Sequence, residues 1–307
     1  MEALLGAVFA YAAAALASPV VLRVISKSII DVPNERSSHS RPTPRGGGVA
    51  LVMGAAAGLA AARVDDSPTI TAFVLATLMC AIGLVDDVRS FRVLARLVLQ
   101  VAVGTGGAVV LASGIGVSSW SAIAIGMTMA LWVVGFVNAF NFMDGINGIS
   151  IAQLLLAGSA WTVAGLVEGV PAVVIVGAVT VGTAAGVLPW NFPNARFFIG
   201  DVGSYFSGAW LASVSIVGMR LGIAPIVIVA PLVLYAADTS VTFLRRLIAG
   251  KPVLRAHRSH VYQQLVVAGW SHTKTTAFFA SCAAIISVAS FAWLTESVVL
   301  RMVGTAI

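Results

Sequence analysis

Residues 149–189 read ISIAQLLLAGSAWTVAGLVEGVPAVVIVGAVTVGTAAGVLP, with Glu168 as the one charge among them. A helix of about 20 apolar residues crosses a hydrocarbon core of roughly 30 Å. The stretch is about twice that length, and its charge falls near the middle. Two membrane-spanning helices joined by a tight turn account for it better than one long helix.

Working outward, runs of the same kind recur along the chain. It has 307 residues, 59% hydrophobic and 10% charged, against about 25% charge in ordinary soluble domains. The composition excludes a soluble chain with buried helices. The short alternating segments of an outer-membrane barrel are absent. The predicted fold is all-α, a polytopic membrane protein forming one integral-membrane domain over residues 1–307. About ten spans are expected, at 4–24, 47–62, 69–85, 97–112, 120–140, 149–167, 171–188, 204–219, 222–244 and 273–295. Gly and Ala are frequent within them, as close helix packing in membranes requires. The first run lacks a charged leader and is read as a span, not a removed signal peptide. Cys80 and Cys282 lie in apolar runs and suggest neither a disulfide nor a zinc site.

Charge sorts by alternate breaks between spans. All but Arg63, Arg220 and Arg301 of the 18 Lys and Arg residues fall in or beside one set of breaks. The positive-inside rule puts that set in the cytoplasm and both termini outside. Those breaks are also the long ones, so the working face is expected there. They hold the acids Asp86, Asp87, Asp144 and Asp201.

Each polar break allows a functional and a structural reading. Asp86 and Asp87 end the third span, as metal ligands or a catalytic base, or as a solvated end near Arg89 and Arg92. In NAFNFMDGINGI, Asn138, Asn141 and Asp144 recur every three residues and would share a helix face. Asn147 offers a donor and an acceptor for base or sugar recognition. A cap and turn explains one such residue but not the whole set. In FFIGDVGSY, Asp201 sits between glycines as an exposed carboxylate on a flexible turn, suited to Mg²⁺. Alternatively Asp201 or Ser204 caps the eighth span. In RAHRSHVYQQ, His257 and His260 would share one helical face. With Arg258 beside them they suit a pyrophosphate better than zinc; alternatively the segment is a solvated basic loop touching anionic headgroups. Arg36, His39, Arg41 and Arg45 form a basic segment closed by three glycines. It either cradles phosphate or serves the positive-inside rule. Together these loops bring acids, amides, histidines and arginines to one face, the chemistry of metal-assisted phosphoryl-group transfer.

The motifs DVPNERSSHSRPTPRGGG, GLVDDVRSF, NAFNFMDGINGI, LPWNFPNARFFIGDVGS, DTSVTFLRR and HRSHVYQQL follow in that order from Asp31 to Trp270. Through them the chain resembles the polyprenyl-phosphate N-acetylhexosamine-1-phosphate transferases, membrane enzymes that begin lipid-linked glycan assembly in bacteria. The HRSHVYQ form is most similar to the branch that starts O-antigen and related surface polysaccharides.

The resemblance implies transfer of sugar-1-phosphate from a UDP-N-acetyl sugar (GlcNAc, FucNAc or QuiNAc) to undecaprenyl phosphate at the bacterial inner membrane. The products are undecaprenyl-diphosphate sugar and UMP, and Mg²⁺ or Mn²⁺ is required. It implies Asp201 as metal ligand, with Asp86 and Asp87 beside the diphosphate and lipid phosphate, Asp86 also serving the metal. Asp144 would lie close to the diphosphate, with Asn138 and Asn141 shaping that wall. Asn147, Asn191 and Phe198 would face the uridine. Arg36, His39, Thr43, Arg45 and Arg258 would contact substrate, and His257 and His260 the phosphate or sugar side. The chain departs from the family pattern at Ser90, where many members carry Lys, at Asn147, where some carry Asp, and at Ser259, where some carry a third His. No nucleic-acid partner is expected, and a homodimer is left open.

A phosphate monoester has its second pKa at about 6, so the lipid acceptor needs positioning more than a strong base. Direct attack is therefore expected over a covalent intermediate on Asp144. The competing reading is a secondary transporter of a phosphorylated or anionic solute. Such proteins place charge at the bilayer midplane, and Asp238 is the one candidate for that role.

Overall fold

The computed structural model describes residues 1–27, 29–33, 41–112, 119–253 and 257–304, with side chains omitted at 119 and 294–304. Arg36 and His39 lie outside the described residues. The helices are α1 (Glu2–Ile25), α2 (Val49–Ala61), α3 (Ser67–Arg89), α4 (Val93–Ala112), α5 (Ser119–Met143), α6 (Ile149–Glu168) and α7 (Pro171–Asn191). They continue with α8 (Gly200–Arg220), α9 (Pro225–Val229), α10 (Val233–Ile248), α11 (Val261–Val267) and α12 (His272–Gly304). Two short strands, β1 (Ile30–Asp31) and β2 (Thr43–Pro44), pair antiparallel, with Ile30 opposite Pro44 and Asp31 opposite Thr43.

Among the described residues, nine helical segments are long and apolar enough to cross a membrane. The fold is therefore an all-α polytopic membrane protein, and the 149–189 stretch is the predicted pair α6 and α7, turning at Gly169. The second expected span differs. α2 has 13 residues, about 20 Å at 1.5 Å per residue, and packs as a short apolar helix against α1 and α7. The ninth span is one segment in length but not in backbone. Pro231 sits in a 3₁₀ turn, Ala230–Leu232, between α9 and α10. Proline interrupts the helical ladder, and carbonyls beside the break find side-chain donors. Gln153 Nε2 donates to Pro231 O at 2.6 Å, and Trp161 Nε1 donates to Ile228 O at 2.8 Å.

α8 is the central helix. It is buried from Gly200 to Gly218, and its small residues (GDVGSYFSGAWLASVS) let α3 and α5 pack against it. A buried and a half-buried indole tie the surrounding helices by their polar tips. Trp210 Nε1 donates to Thr180 Oγ1 at 2.8 Å, and Trp132 Nε1 to Ser215 Oγ at 3.0 Å.

α8 begins at Gly200, so the expected span from 204 gains a turn at its start. The reason lies in α3. Asp87 Oδ1 and Oδ2 accept from Asp201 N and Val202 N, each at 3.0 Å. A carboxylate on orphan amides stabilises a helix N-terminus. Asp201 is thus in the first helical turn and 9% exposed, neither on a flexible turn nor itself the cap. Gly200 has φ +71°, and a Cβ there would lie 2.6 Å from Asp87 Oδ2, so glycine is what admits the cap.

Candidate active site

The glycine run after Arg45 docks that arginine against α8. Gly46 N and Gly47 N donate to Phe198 O at 3.1 and 2.9 Å, and Gly48 N donates to Ile199 O at 2.9 Å. A Cβ on Gly48 would lie 2.1 Å from Gly203 Cα. These amides are spent on the 198–199 backbone, so the glycine run does not cradle phosphate. It fixes Arg45, whose Nε meets Asp87 Oδ1 at 2.9 Å and whose Nη2 meets Asp201 Oδ1 at 2.7 Å. Burial alone would lower the Arg45 pKa, but the Asp201 and Asp87 carboxylates hold it above its usual range.

Around this bridge opens a cavity of about 480 Å³. Of the residues expected at a site, Arg45, Asp86, Asn138, Asn141, Asp201, His257 and His260 line it. Asn141 Nδ2 donates to Asp201 Oδ1 at 2.8 Å and to Ser204 Oγ at 2.9 Å. Asn138 Nδ2 donates to Gln100 Oε1 at 2.8 Å. Asp86 accepts from Phe91 N at 2.8 Å, from Tyr205 Oη at 3.1 Å and from Arg96 Nη1 at 3.3 Å. Arg96 and Tyr205 are partners that the sequence reading missed. Arg96 stands ten residues after Asp86, on the next helix.

The histidines meet without sharing a helix. His260 precedes α11 as its extended N-cap, and His257 stands in the preceding loop. Their rings lie 5.2 Å apart. His260 Nδ1 lies 2.7 Å from Asp238 Oδ2, and Asp238 Oδ1 accepts from Val261 N at 2.9 Å. This buried pair leaves Nε2 as the ring nitrogen open to a ligand. Asp238, the acid that opens the DTSVTFLRR motif, thus holds a histidine of the cavity wall in place. Its sequence signal was a lone acid in an apolar run. Burial, Arg246 and His260 together lower the His257 pKa to about 4, so its ring is neutral at pH 7.

The other expected residues among those described do not line this cavity. The Asp87 side chain is fully buried under α8. Asp144 turns away and accepts from Ser150 Oγ at 2.7 Å. Burial, the largest cause, and the Asp201 and Asp87 charges raise its pKa to about 7, against the opposing effects of Ser150 and Arg45. Asn191 is buried, with both polar ends spent: Gly148 N donates to its Oδ1 at 2.9 Å, and its Nδ2 donates to Phe197 O at 3.1 Å. It clamps two loops rather than presenting an amide to a base. Asn147 Nδ2 donates to Pro193 O at 3.0 Å. Thr43 Oγ1 donates to Arg41 O at 3.0 Å. The Phe198 backbone accepts from Gly46 N and Gly47 N and donates to Pro44 O at 2.8 Å. The Arg258 carbonyl accepts from Gln264 Nε2.

A divalent cation fits this arrangement. Among the described residues no group of three or more His, Cys, Asp or Glu side chains forms a metal cage. Mg²⁺ does not need one, because it binds through one or two carboxylates and completes its shell with phosphate oxygens and water. Asp201 Oδ1 is occupied by Arg45 and Asn141, which leaves Oδ2 for such an ion. Charge points the same way. Asp86 and Asp201 line the cavity opposite Arg45 and Arg96, with Asp87 buried behind them, and His257 is neutral. A polyphosphate entering a cavity whose lining charges balance needs further positive charge.

The family model described as glycosyl transferase family 4 matches residues 69–219, which covers α3 to α8. A probable undecaprenyl-phosphate N-acetylglucosaminyl 1-phosphate transferase of Bacillus subtilis is 25% identical over 93% of this chain and 85% of its own. A decaprenyl-phosphate N-acetylglucosaminephosphotransferase of Mycolicibacterium smegmatis is 30% identical over 79% of this chain and 70% of its own. An undecaprenyl-phosphate alpha-N-acetylglucosaminyl 1-phosphate transferase of Thermotoga maritima is 30% identical over 80% and 77%. With the ordered motifs and this degree of likeness, the chain belongs to the polyprenyl-phosphate N-acetylhexosamine-1-phosphate transferase family.

Proposed function

We propose that this chain transfers N-acetylhexosamine-1-phosphate from a UDP-N-acetyl sugar to undecaprenyl phosphate, releasing UMP. The observation that carries the reading is the single cavity in which Asp86, Asp201, Arg45, Arg96 and the histidine pair meet. We place that cavity on the cytoplasmic face of the bacterial inner membrane, from the arginine distribution; both termini are then periplasmic, with the short α2 making the tenth crossing. The sugar is of the GlcNAc, FucNAc or QuiNAc type, and the pathway is O-antigen or a related surface polysaccharide.

In this reading Asp201 holds Mg²⁺ with Asp86 nearby, and the ion supplies charge neutralisation for the diphosphate. Arg45 fixes the Asp201 carboxylate, and Asp87 fixes the turn that carries it. Arg96 and His260 orient phosphate oxygens, while Asn138 and Asn141 hold the wall between them. A lipid phosphate oxygen forms the new bond to the sugar-bearing phosphorus. The bond to the bridging oxygen breaks, and UMP leaves with its electron pair. Positioning and charge complementarity suffice, because the acceptor is largely a dianion near pH 7. A covalent intermediate on Asp144 is disfavoured, since that carboxyl lies off the cavity and is hydrogen-bonded to Ser150. Asp87, Asp144, Asn147, Asn191, Thr43 and Phe198 act by positioning the loops around the site. The transporter reading loses its acid, because Asp238 is committed to His260 and Val261.

The test is UMP release by purified protein given undecaprenyl phosphate, Mg²⁺ and a panel of UDP-N-acetyl sugars. Release with at least one sugar is expected, together with its sugar-diphosphate lipid. No release with any of them would refute the proposal.

A further inference from the structure

A second cavity, of about 560 Å³, lies behind the histidine loop. Thr242, Arg245, Arg246, Lys251, Ser259 and Gln264 supply its polar lining, and among the described residues no acidic side chain lines it. The segment 257–264 is the wall between the two cavities. His257, His260 and Gln263 line the catalytic side, while Ser259 and Gln264 line this one.

The basic groups here are not engaged as those of the catalytic cavity are. Arg45 and Arg96 are ion-paired, but among the described residues Arg245, Arg246 and Lys251 have no acidic partner. Arg246 Nη1 donates to Ser259 Oγ at 3.2 Å and Nη2 to Pro252 O at 2.7 Å. Its Nε is buried and has no hydrogen-bond partner. A buried orphan donor beside two exposed cations without acidic partners is a setting that favours an anion.

The neighbourhood says where that anion comes from. On α10, Val241, Leu244 and Leu247 expose their apolar side chains, and Ile248, which also lines the cavity, is 85% exposed. In a membrane protein such a face belongs against acyl chains. The mouth of the cavity therefore adjoins the bilayer boundary, where arginine and lysine meet lipid phosphates. We propose that this cavity binds the phosphate of an anionic membrane lipid, at a site separate from the catalytic one. A headgroup there completes the Arg246 hydrogen bonding and bears on Ser259, the residue next to His260. The proposal needs the membrane but not the transferase reading.

Native mass spectrometry can count phosphatidylglycerol retained by the purified protein against phosphatidylcholine. The wild type should prefer phosphatidylglycerol, and inorganic phosphate or UMP should not displace it. R245Q/K251Q should weaken that retention roughly thirtyfold, at about fivefold for each surface cation removed. R89Q/R92Q, with the same change in net charge elsewhere, should retain lipid as the wild type does. Equal retention of both lipids by the wild type would overturn the proposal. So would equal loss in the two double variants, or unchanged retention in R245Q/K251Q. Displacement by inorganic phosphate would reassign the cavity to a soluble anion and overturn the lipid assignment. The wild-type comparisons decide the matter even if R245Q/K251Q fails to fold.

Discussion

Asp144 and Asp238 are single carboxylates whose surroundings give each a distinct behaviour. The Asp144 carboxyl is raised to about 7 by burial, so the folded chain holds its proton where the unfolded chain has lost it. Stability therefore falls as pH rises from the ordinary aspartate range to about 7 and is flat above it. Asp144→Asn keeps a neutral side chain and should remove that slope. Thermal midpoints taken at intervals from pH 4 to 8 will decide, and equal slopes in the two proteins would contradict the assignment. Asp238 orients His260. By analogy with carboxylate–histidine pairs at metal centres, Asp238→Asn should cost about 10- to 100-fold in kcat, with the thermal midpoint little changed. A collapse of the midpoint without a selective loss of kcat would make Asp238 structural only. Little of this was legible in the sequence. The Asp144–Ser150 bond competes with an equally reasonable site role for a DG turn, and the Asp238–His260 pair joins groups 22 residues apart across a helix and a loop.

Among elements, the end of α3 and the start of α8 form the joint on which the site depends. Asp87 is its pin, accepting from two α8 amides and from Arg45. Asp87→Ala removes a helix cap worth about 0.5–2 kcal/mol and leaves the Asp201 turn unsupported. The expected result is a lower midpoint and a loss of activity that added Mg²⁺ does not restore. An unchanged midpoint would show that the cap contributes nothing. The existence of α3, α5, α6, α7 and α8 was legible, because each is an apolar run bounded by polar residues. The joint was not, since its partners are 114 and 115 residues apart and hydropathy carries no information about that distance. The break at Pro231 was also passed over, because an apolar run reads the same whether its backbone is continuous or interrupted.

For the whole molecule, two sets of facts agree. Apolar helices form a bundle with α8 at its centre, and chemically active groups from five separated segments meet at one cavity. The sequence marked most of those segments, since polar clusters between apolar runs stand out against a chain of this composition. It overcounted the cavity, since Asn191 and Asp87 share the polarity of site residues but serve the scaffold around them. The central claim is that Asp201 carries the metal that lets this cavity accept a diphosphate. UMP release by Asp201→Asn, measured across a range of Mg²⁺ concentrations beside the wild type, tests it most directly. The account predicts a loss of roughly 100- to 1000-fold at every concentration, in a variant that still folds and inserts. Activity close to wild type over that range would contradict it.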